Sequence, residues 1–196
     1  LLTSNGEFWI RQRRLMAGAF SSKSIEKLHP LIVQESQSCI NGWDRKSLVD
    51  LADEMNGLTL QIISKTMLGD LTAEDSTVIK SSVKEILKYL QTSRHLWFQL
   101  FLLPFPIKDK IAAAIKIESK LPLPSTRKFF KAIKAIDRLV LRMIEERKRL
   151  NLNENLLDKL IKSTDEEDQS RMTNQQLRDE VVNILLAGHE TTSNAL

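Results

Sequence analysis

Cysteine is almost absent from the chain. Cys39 is the only one in 196 residues, which excludes a disulfide framework and a cysteine-rich metal site within this sequence. The three histidines, His29, His95 and His189, show no metal-ligand spacing, so no metal site is expected in this segment. Long apolar runs are also missing. A bilayer-spanning helix needs about 20 consecutive apolar residues, and the best stretch, 96–107, is broken by Gln99, Pro104 and Pro106. That stretch suits either a core-packed loop or an apolar segment that lines a substrate entrance or dips into an interface. Peripheral membrane contact therefore stays open, and a cytoplasmic location is expected. Internal repeats, low-complexity tracts and alternating β-branched runs are lacking, which removes solenoid and β architectures.

A one-signed charge field is lacking too. The formal charge is +4 and the pI about 9.2, basic enough to raise nucleic-acid binding. The cations are interleaved with acids, as in Lys131, Lys134, Asp137, Arg138, Arg142, Glu145, Glu146 and Arg147. That pattern belongs to a solvated helix face, so no nucleic-acid partner is expected. Arg11, Arg14, Lys23 and Lys27 form a more local basic group. It suits an acidic redox partner, with a plain solvated surface as the alternative.

What is present reads as helix almost throughout, giving an all-α class. The first helix is expected over 7–19. A second runs from a cap at Ser22 or Ser24 to a stop at Asn41-Gly42. A third covers 47–68, with Leu48, Leu51, Met55, Leu58 and Ile62 as a core stripe. Thr72 opens a fourth that ends near Thr92, its stripe formed by Val78, Val83, Ile86, Leu87 and Leu90. Four of the five prolines fall in 96–124, a connection with a short helix around 108–120. From Ser125 a long amphipathic helix turns Phe129, Ile133, Ile136, Val140, Met143 and Ile144 inward. A brief helix over 155–163 leads to an acidic loop, 164–170, expected to be a solvated turn. Thr173 and Gln176 form a capping box for the last helix.

That last helix carries the chemistry. Val181, Val182, Ile184, Leu185 and Leu186 lead into Ala187-Gly188-His189-Glu190-Thr191-Thr192, which directs Glu190 and Thr191 toward an interior or a cofactor cavity. A buried carboxylate is costly without a partner. The Thr191 hydroxyl can bond the Ala187 carbonyl four residues back and loosen the ladder, and Gly188 lets another group approach closely. Near the start, Trp9 and Arg13 stand four residues apart on one helical face. They offer an indole N–H and a fixed fork of donors suited to a carboxylate.

The groove stretch resembles the oxygen-binding groove of cytochrome P-450 monooxygenases, small-Gly-x-acid-Thr followed by Thr or Ser, and matches at every specified position. Trp9 and Arg13 resemble the same family's Trp-x-x-x-Arg motif, in the family's order. The resemblance implies a helical P-450-like fold, incomplete over residues 1–196. It implies a haem held at a propionate by Trp9 and Arg13, with dioxygen as co-substrate and Ala187 and Gly188 leaving room for it. Thr191 would hold the activated oxygen and Glu190 would relay protons, while Ala187 would also touch substrate. The expected substrate is a small hydrophobic molecule, and electrons would come ultimately from NAD(P)H through a reductase or ferredoxin-type partner. His189, at the unspecified position, reads as a neighbour of the site.

Two family elements do not occur. Cys39 lacks the Phe-x-x-Gly-x-x-x-Cys-x-Gly surroundings of the haem ligand, and Glu146 with Arg149 has the Glu-x-x-Arg spacing in the wrong order. The sequence, which starts at Leu1 and stops at Leu196, is therefore expected to be a fragment lacking the N-terminal part and the C-terminal thiolate cysteine region. The expected function is that of a haem-thiolate monooxygenase piece, inactive alone. The alternative is a catalytically silent helical scaffold or interaction domain that keeps the family packing.

Overall fold

The computed structural model describes residues 5–43, 48–101 and 124–196, the side chains of 92–101, 124 and 125 excepted. Among the described residues there are eight helices and no strand: α1 Gly6–Ala17, α2 Ser22–Glu26, α3 His29–Trp43, α4 Leu51–Leu68, α5 Ala73–Phe101, α6 Pro124–Leu150, α7 Leu156–Lys162 and α8 Asn174–Ser193. The all-α reading holds. The chain divides into two compact units, one from 1–76 with 137–196 and the other from 77–136.

In the first unit α4 and α8 form the most extensive helix pair, with α3 and α7 also against α4 and α7 against α8. Side chains that satisfy orphan backbone donors fix where these helices begin. Thr173 Oγ1 accepts from Gln176 N at 3.2 Å and Gln176 Oε1 accepts from Thr173 N at 2.9 Å, the expected capping box of α8. Asn155 and Asp158 make a second box on α7, and Asp50 caps α4. On α8, Leu177, Val181 and Leu185 repeat every four residues and are all fully buried. They meet a core that includes Leu60, Met67 and Leu68 of α4 and Leu156, Leu157 and Leu160 of α7. Each such side chain contributes about 1.5–3 kcal/mol on leaving water.

Arg147 ties three of these pieces together. Its guanidinium donates to the Leu68 carbonyl at 3.1 Å, at the end of α4, and to Asp158 Oδ2 and Glu154 Oε2 at 3.2 Å each. Gly69 (φ +83°) closes α4 in the left-handed region, and a side chain there would strike the Arg147 guanidinium and come within 2.8 Å of the Asn155 amide. Glycine is required at that turn on both counts. In the second unit Ile79, Val83, Ile86, Ala132 and Ile136 are buried. Tyr89 stacks on Phe129 with centroids 4.2 Å apart, and Phe129 meets Phe130 edge-on.

The expected second helix is in fact two, α2 and α3, interrupted at Lys27 and Leu28. Pro30 explains the break: it has no N–H to bond the Glu26 carbonyl four residues back and its ring crowds that carbonyl, while it suits the first turn of a new helix. Asn41-Gly42 does not stop α3, which continues to Trp43, where the indole N–H donates to Glu54 of α4 at 3.2 Å. The third helix starts at Leu51, not 47. Leu48 is 88% exposed and Leu51 53%, so the expected stripe is not the buried one. Thr59, Leu60, Ser64, Met67 and Leu68 are buried instead, because α4 is packed by α3, α7 and α8 rather than along one face. α5 runs on to Phe101, nine residues past Thr92, as nothing in that stretch breaks a helix before Pro104. The short helix expected around 108–120, and most of the 96–124 connection, lie outside the described residues.

Candidate active site

The end of α8 is organised by which residue faces which side. His189 is buried, with 5% exposure, whereas Ala187 and Thr191 are exposed and Gly188 and Glu190 are intermediate. At about 100° per residue, His189 stands some 160° around the helix from both Ala187 and Thr191. Of the two directions expected for Glu190 and Thr191, a protein interior or a cofactor cavity, the interior does not hold: the residue the motif leaves unspecified is the buried one. Ala187 and Thr191 form an outward-facing strip that nothing in the described chain covers.

The hydroxyl bond foreseen from Thr191 is present, Oγ1 donating to the Ala187 carbonyl at 2.7 Å, while the helix stays α-helical from Asn174 to Ser193. The close approach foreseen at Gly188 is made by Ile63 of α4: a Cβ on Gly188 would stand 3.3 Å from both Ile63 Cδ1 and Cγ1. Glycine here lets α8 sit tightly on α4, on the flank beside the exposed strip, about 60° around the helix from Thr191 and about 100° from Ala187. Behind the strip, His189 Nδ1 lies 3.1 Å from Thr59 Oγ1. Burial pushes the imidazole below its ordinary pKa, while the neighbouring Glu190 carboxylate pulls it up. The neutral ring is favoured at neutral pH.

Trp9 and Arg13 share a face of α1 as expected, the guanidinium carbon lying 5.4 Å from the indole centroid. That distance is a cation–π contact, with the guanidinium over the ring. Arg13 is exposed and Trp9 half-buried, and neither has an ion pair or hydrogen-bond acceptor among the described residues. An open guanidinium fork beside an indole N–H is a donor set made for a carboxylate. That chemistry fits a haem propionate.

The opposite side of α1 is tied down. Arg11 and Arg14 stand about 140–160° around the helix from Trp9. Arg14 Nη2 bonds Asp165 Oδ2 at 3.2 Å and Glu167 Oε2 at 2.8 Å, and Arg11 reaches Asp168 and the Ser170 hydroxyl. Asp165 is 1% exposed. The amide of Glu167 donates to it at 2.9 Å, and this bond, ahead of the Arg14 guanidinium, holds its carboxyl below the ordinary value against the opposing effect of burial. The acidic loop is the expected solvated turn at Glu166, Glu167, Asp168 and Gln169, which are exposed, but Asp165 within it is buried, and Arg11 and Arg14 are paired within the chain rather than offered to an acidic partner. Gln12, on the same helix, is fully buried with neither amide atom bonded to protein.

Thr59 was not legible in the sequence as a site residue, since it carries no motif and partners His189 from 130 residues away. Among the described residues no group of three His, Cys, Asp or Glu side chains could hold a metal, and no helix is long and apolar enough to cross a membrane. Cys39 Sγ lies 3.7 Å from the Glu54 carboxylate. A neighbouring negative charge disfavours a thiolate, so Cys39 is unsuited to ligate iron.

The chain is similar to known proteins over nearly its whole length. Cyclooctatin synthase of Streptomyces melanosporofaciens is 28% identical over 201 residues, matching 100% of this chain and 40% of the relative. The bifunctional cytochrome P450/NADPH–P450 reductase 2 of Bacillus subtilis is 27% identical, matching 96% of this chain and 17% of its own. The chain thus spans about 40% of the length of its single-enzyme relatives. Among solved structures, retinoic acid-bound cyanobacterial CYP120A1 superposes with a TM-score of 0.72 at 18% identity, over 98% of this chain and 39% of that one. The CYP102L1 structure gives 0.71 at 21% identity, over 98% and 42%. These two likenesses establish the fold. The cytochrome P450 family model matches residues 1–196, the whole of the sequence, and the chain belongs to the cytochrome P450 family.

Proposed function

We propose that this chain is the oxygen-side and propionate-side portion of a haem-thiolate monooxygenase that oxidises a small hydrophobic molecule. The observation that carries the reading is the sidedness of α8: Ala187 and Thr191 face outward while His189 and Leu185 are buried. A small side chain and a hydroxyl on an uncovered strip suit a cavity that must admit dioxygen and an apolar substrate together. Monooxygenation of a C–H bond places one oxygen atom in the product. The other leaves as water, using two protons and two electrons.

A haem bound there with a cysteine thiolate as its iron ligand would supply the chemistry of oxygen activation. Residues 1–196 supply binding, orientation and protons. Arg13 and Trp9 hold a propionate by charge-assisted donation. The Thr191 hydroxyl, released from the Ala187 carbonyl, donates where oxygen is reduced, and the half-buried Glu190 carries protons from solvent to that hydroxyl. The exposed methyl of Ala187 packs against substrate.

Because Cys39 is unsuited, the thiolate comes from sequence outside 1–196, and this segment alone is inactive. Electrons come from NAD(P)H through a redox partner, as the reductase fused in the Bacillus subtilis relative suggests. Pentalenene oxygenase of Streptomyces avermitilis, 24% identical, supports oxygenation of a small apolar molecule.

The test is on the full-length protein. Thr191→Ala is expected to keep haem but divert reducing equivalents to peroxide, and unchanged coupling of electron use to product would remove Thr191 from its role. Arg13→Ala is expected to lower haem occupancy, and occupancy equal to the parent would remove the propionate assignment. Absence of a thiolate-type carbonyl spectrum in the reduced full-length protein would overturn the monooxygenase reading altogether in favour of a silent helical scaffold.

A further inference from the structure

The buried side of the groove carries a polar contact that the oxygen chemistry does not need. Thr59 Oγ1 lies 2.8 Å from the Met55 carbonyl on its own helix and 3.1 Å from His189 Nδ1. A hydroxyl has one proton, and the shorter contact is to a carbonyl that can only accept. With the proton given to that carbonyl, Thr59 accepts from His189 in the tautomer that carries its proton on Nδ1. The bond joins α4 to α8, and one turn of α4 further on Ile63 fills the space beside Gly188. These two contacts fix how α8 is rotated about its own axis at the level of the groove. The polar one sets direction and the apolar one sets distance.

We propose that His189 is a positioning residue: its Nδ1–H bond to Thr59 holds the rotational setting of α8 that keeps Ala187 and Thr191 on the exposed strip. The inference rests on the monooxygenase reading for its functional consequence, and on the α4–α8 contact alone for its structural one. A helix end released from this bond turns or frays, and Thr191 then spends time away from the position where its hydroxyl donates. A ring buried at this point contributes neither a ligand nor a proton to the reaction.

The test uses full-length, haem-loaded protein, comparing Thr59→Val, which keeps shape and removes the acceptor, with Thr59→Ser, which retains it. Deuterium uptake at residues 186–192 is measured alongside peroxide released per NADPH consumed, with a ferredoxin and its reductase supplying electrons. Thr59→Val is expected to raise both, each roughly fivefold, the population shift that one net hydrogen bond sustains. Thr59→Ser is expected to match the parent, a rescue that loss of packing alone would not give.

If Thr59→Val does not accumulate, His189→Asn, which places an N–H near the Nδ1 position, is compared with His189→Leu under the same expectation. Parent-like uptake and peroxide in Thr59→Val, or equal damage in the valine and serine variants, would overturn the inference. If uptake rises and is rescued while the parent consumes no NADPH, the positioning contact stands and the monooxygenase reading falls.

Discussion

Gly188 offers a direct measure of how tightly the groove helix is seated, because two effects of similar size oppose each other there. Replacing glycine by alanine inside a helix gains about 0.8–1.0 kcal/mol of helix propensity. The new Cβ would stand 3.3 Å from Ile63 Cδ1 and Cγ1, so Ile63 must withdraw by a few tenths of an ångström. Ile63 is only half-buried and Cδ1 is the free end of its side chain, which places the cost at about 0.5–1.5 kcal/mol, that of a moderately strained rotamer. Gly188→Ala is therefore expected to leave stability within about 1 kcal/mol of the parent. Gly188→Val adds two methyls where one already touches. Overpacking costs about 1–3 kcal/mol, and the β-branched residue gives back part of the helix gain.

The assay is denaturant unfolding of the full-length, haem-loaded protein, read at unchanged m-value so that a midpoint shift is a stability shift. Ile63→Val removes the Cδ1 that the alanine meets. On its own it costs about 0.5–1.5 kcal/mol, and combined with Gly188→Ala the two should cost less than their sum. A Gly188→Ala penalty above about 2 kcal/mol, or additive behaviour with Ile63→Val, would refute the account of an Ile63 that yields. A neutral Gly188→Val would refute the close seating itself.

Three further outcomes test the supports of the site. Asp165, with its folded pKa below the ordinary 3.8, contributes stability that is complete above that value and is lost as pH falls through the depressed one. Asp165→Asn should therefore be less stable than the parent at neutral pH, with the gap closing in acid, and parallel acid limbs in a pH series of unfolding would contradict this. Arg147→Met strands Asp158, which is 1% exposed. Breaking a buried pair costs about 3–5 kcal/mol, here toward the lower end because the Glu154 amide still donates to Asp158 at 2.8 Å; a loss under about 1 kcal/mol in urea unfolding would show the pair to be idle. Arg13→Lys should retain less haem than the parent, since an ammonium has no planar fork to present; equal retention on gel filtration would show that charge alone suffices.

Sequence and structure part company in a consistent way. Readings that depended on neighbours along the chain hold: the Thr173–Gln176 capping box, the shared face of Trp9 and Arg13, and the Thr191 bond to the Ala187 carbonyl all join residues three or four apart. Readings of which face meets the rest of the chain hold on the long amphipathic helix α6, where Ile136, Val140, Met143 and Ile144 are buried, and fail where residues far along the chain decide the burial. The acidic loop looked solvated because a charge run usually is, yet Asp165 is met by Arg14 from 151 residues away. The apolar stripe of α4 suggested a one-sided helix, but its position among α3, α7 and α8 makes Thr59 and Ser64 core residues.

The same division explains the groove. On the proposed reading the motif specifies residues by their chemistry toward oxygen, so the small residue, the acid and the threonine are legible. His189, at the position left free, is buried against the protein. What is needed there depends on the helix behind it, and in this chain that helix presents a hydroxyl whose proton is already committed to Met55. An N–H donor is then the partner required, and in the Nδ1–H tautomer histidine supplies one. A free position in a motif is thus a position under a different constraint. It follows that substitutions at 189 should be tolerated or not according to the residue at 59: Thr59→Val together with His189→Leu, a dry pair, should recover stability lost in either single variant by removing both unsatisfied polar groups at once. Additive losses in the double variant would mean that the two residues support the groove independently.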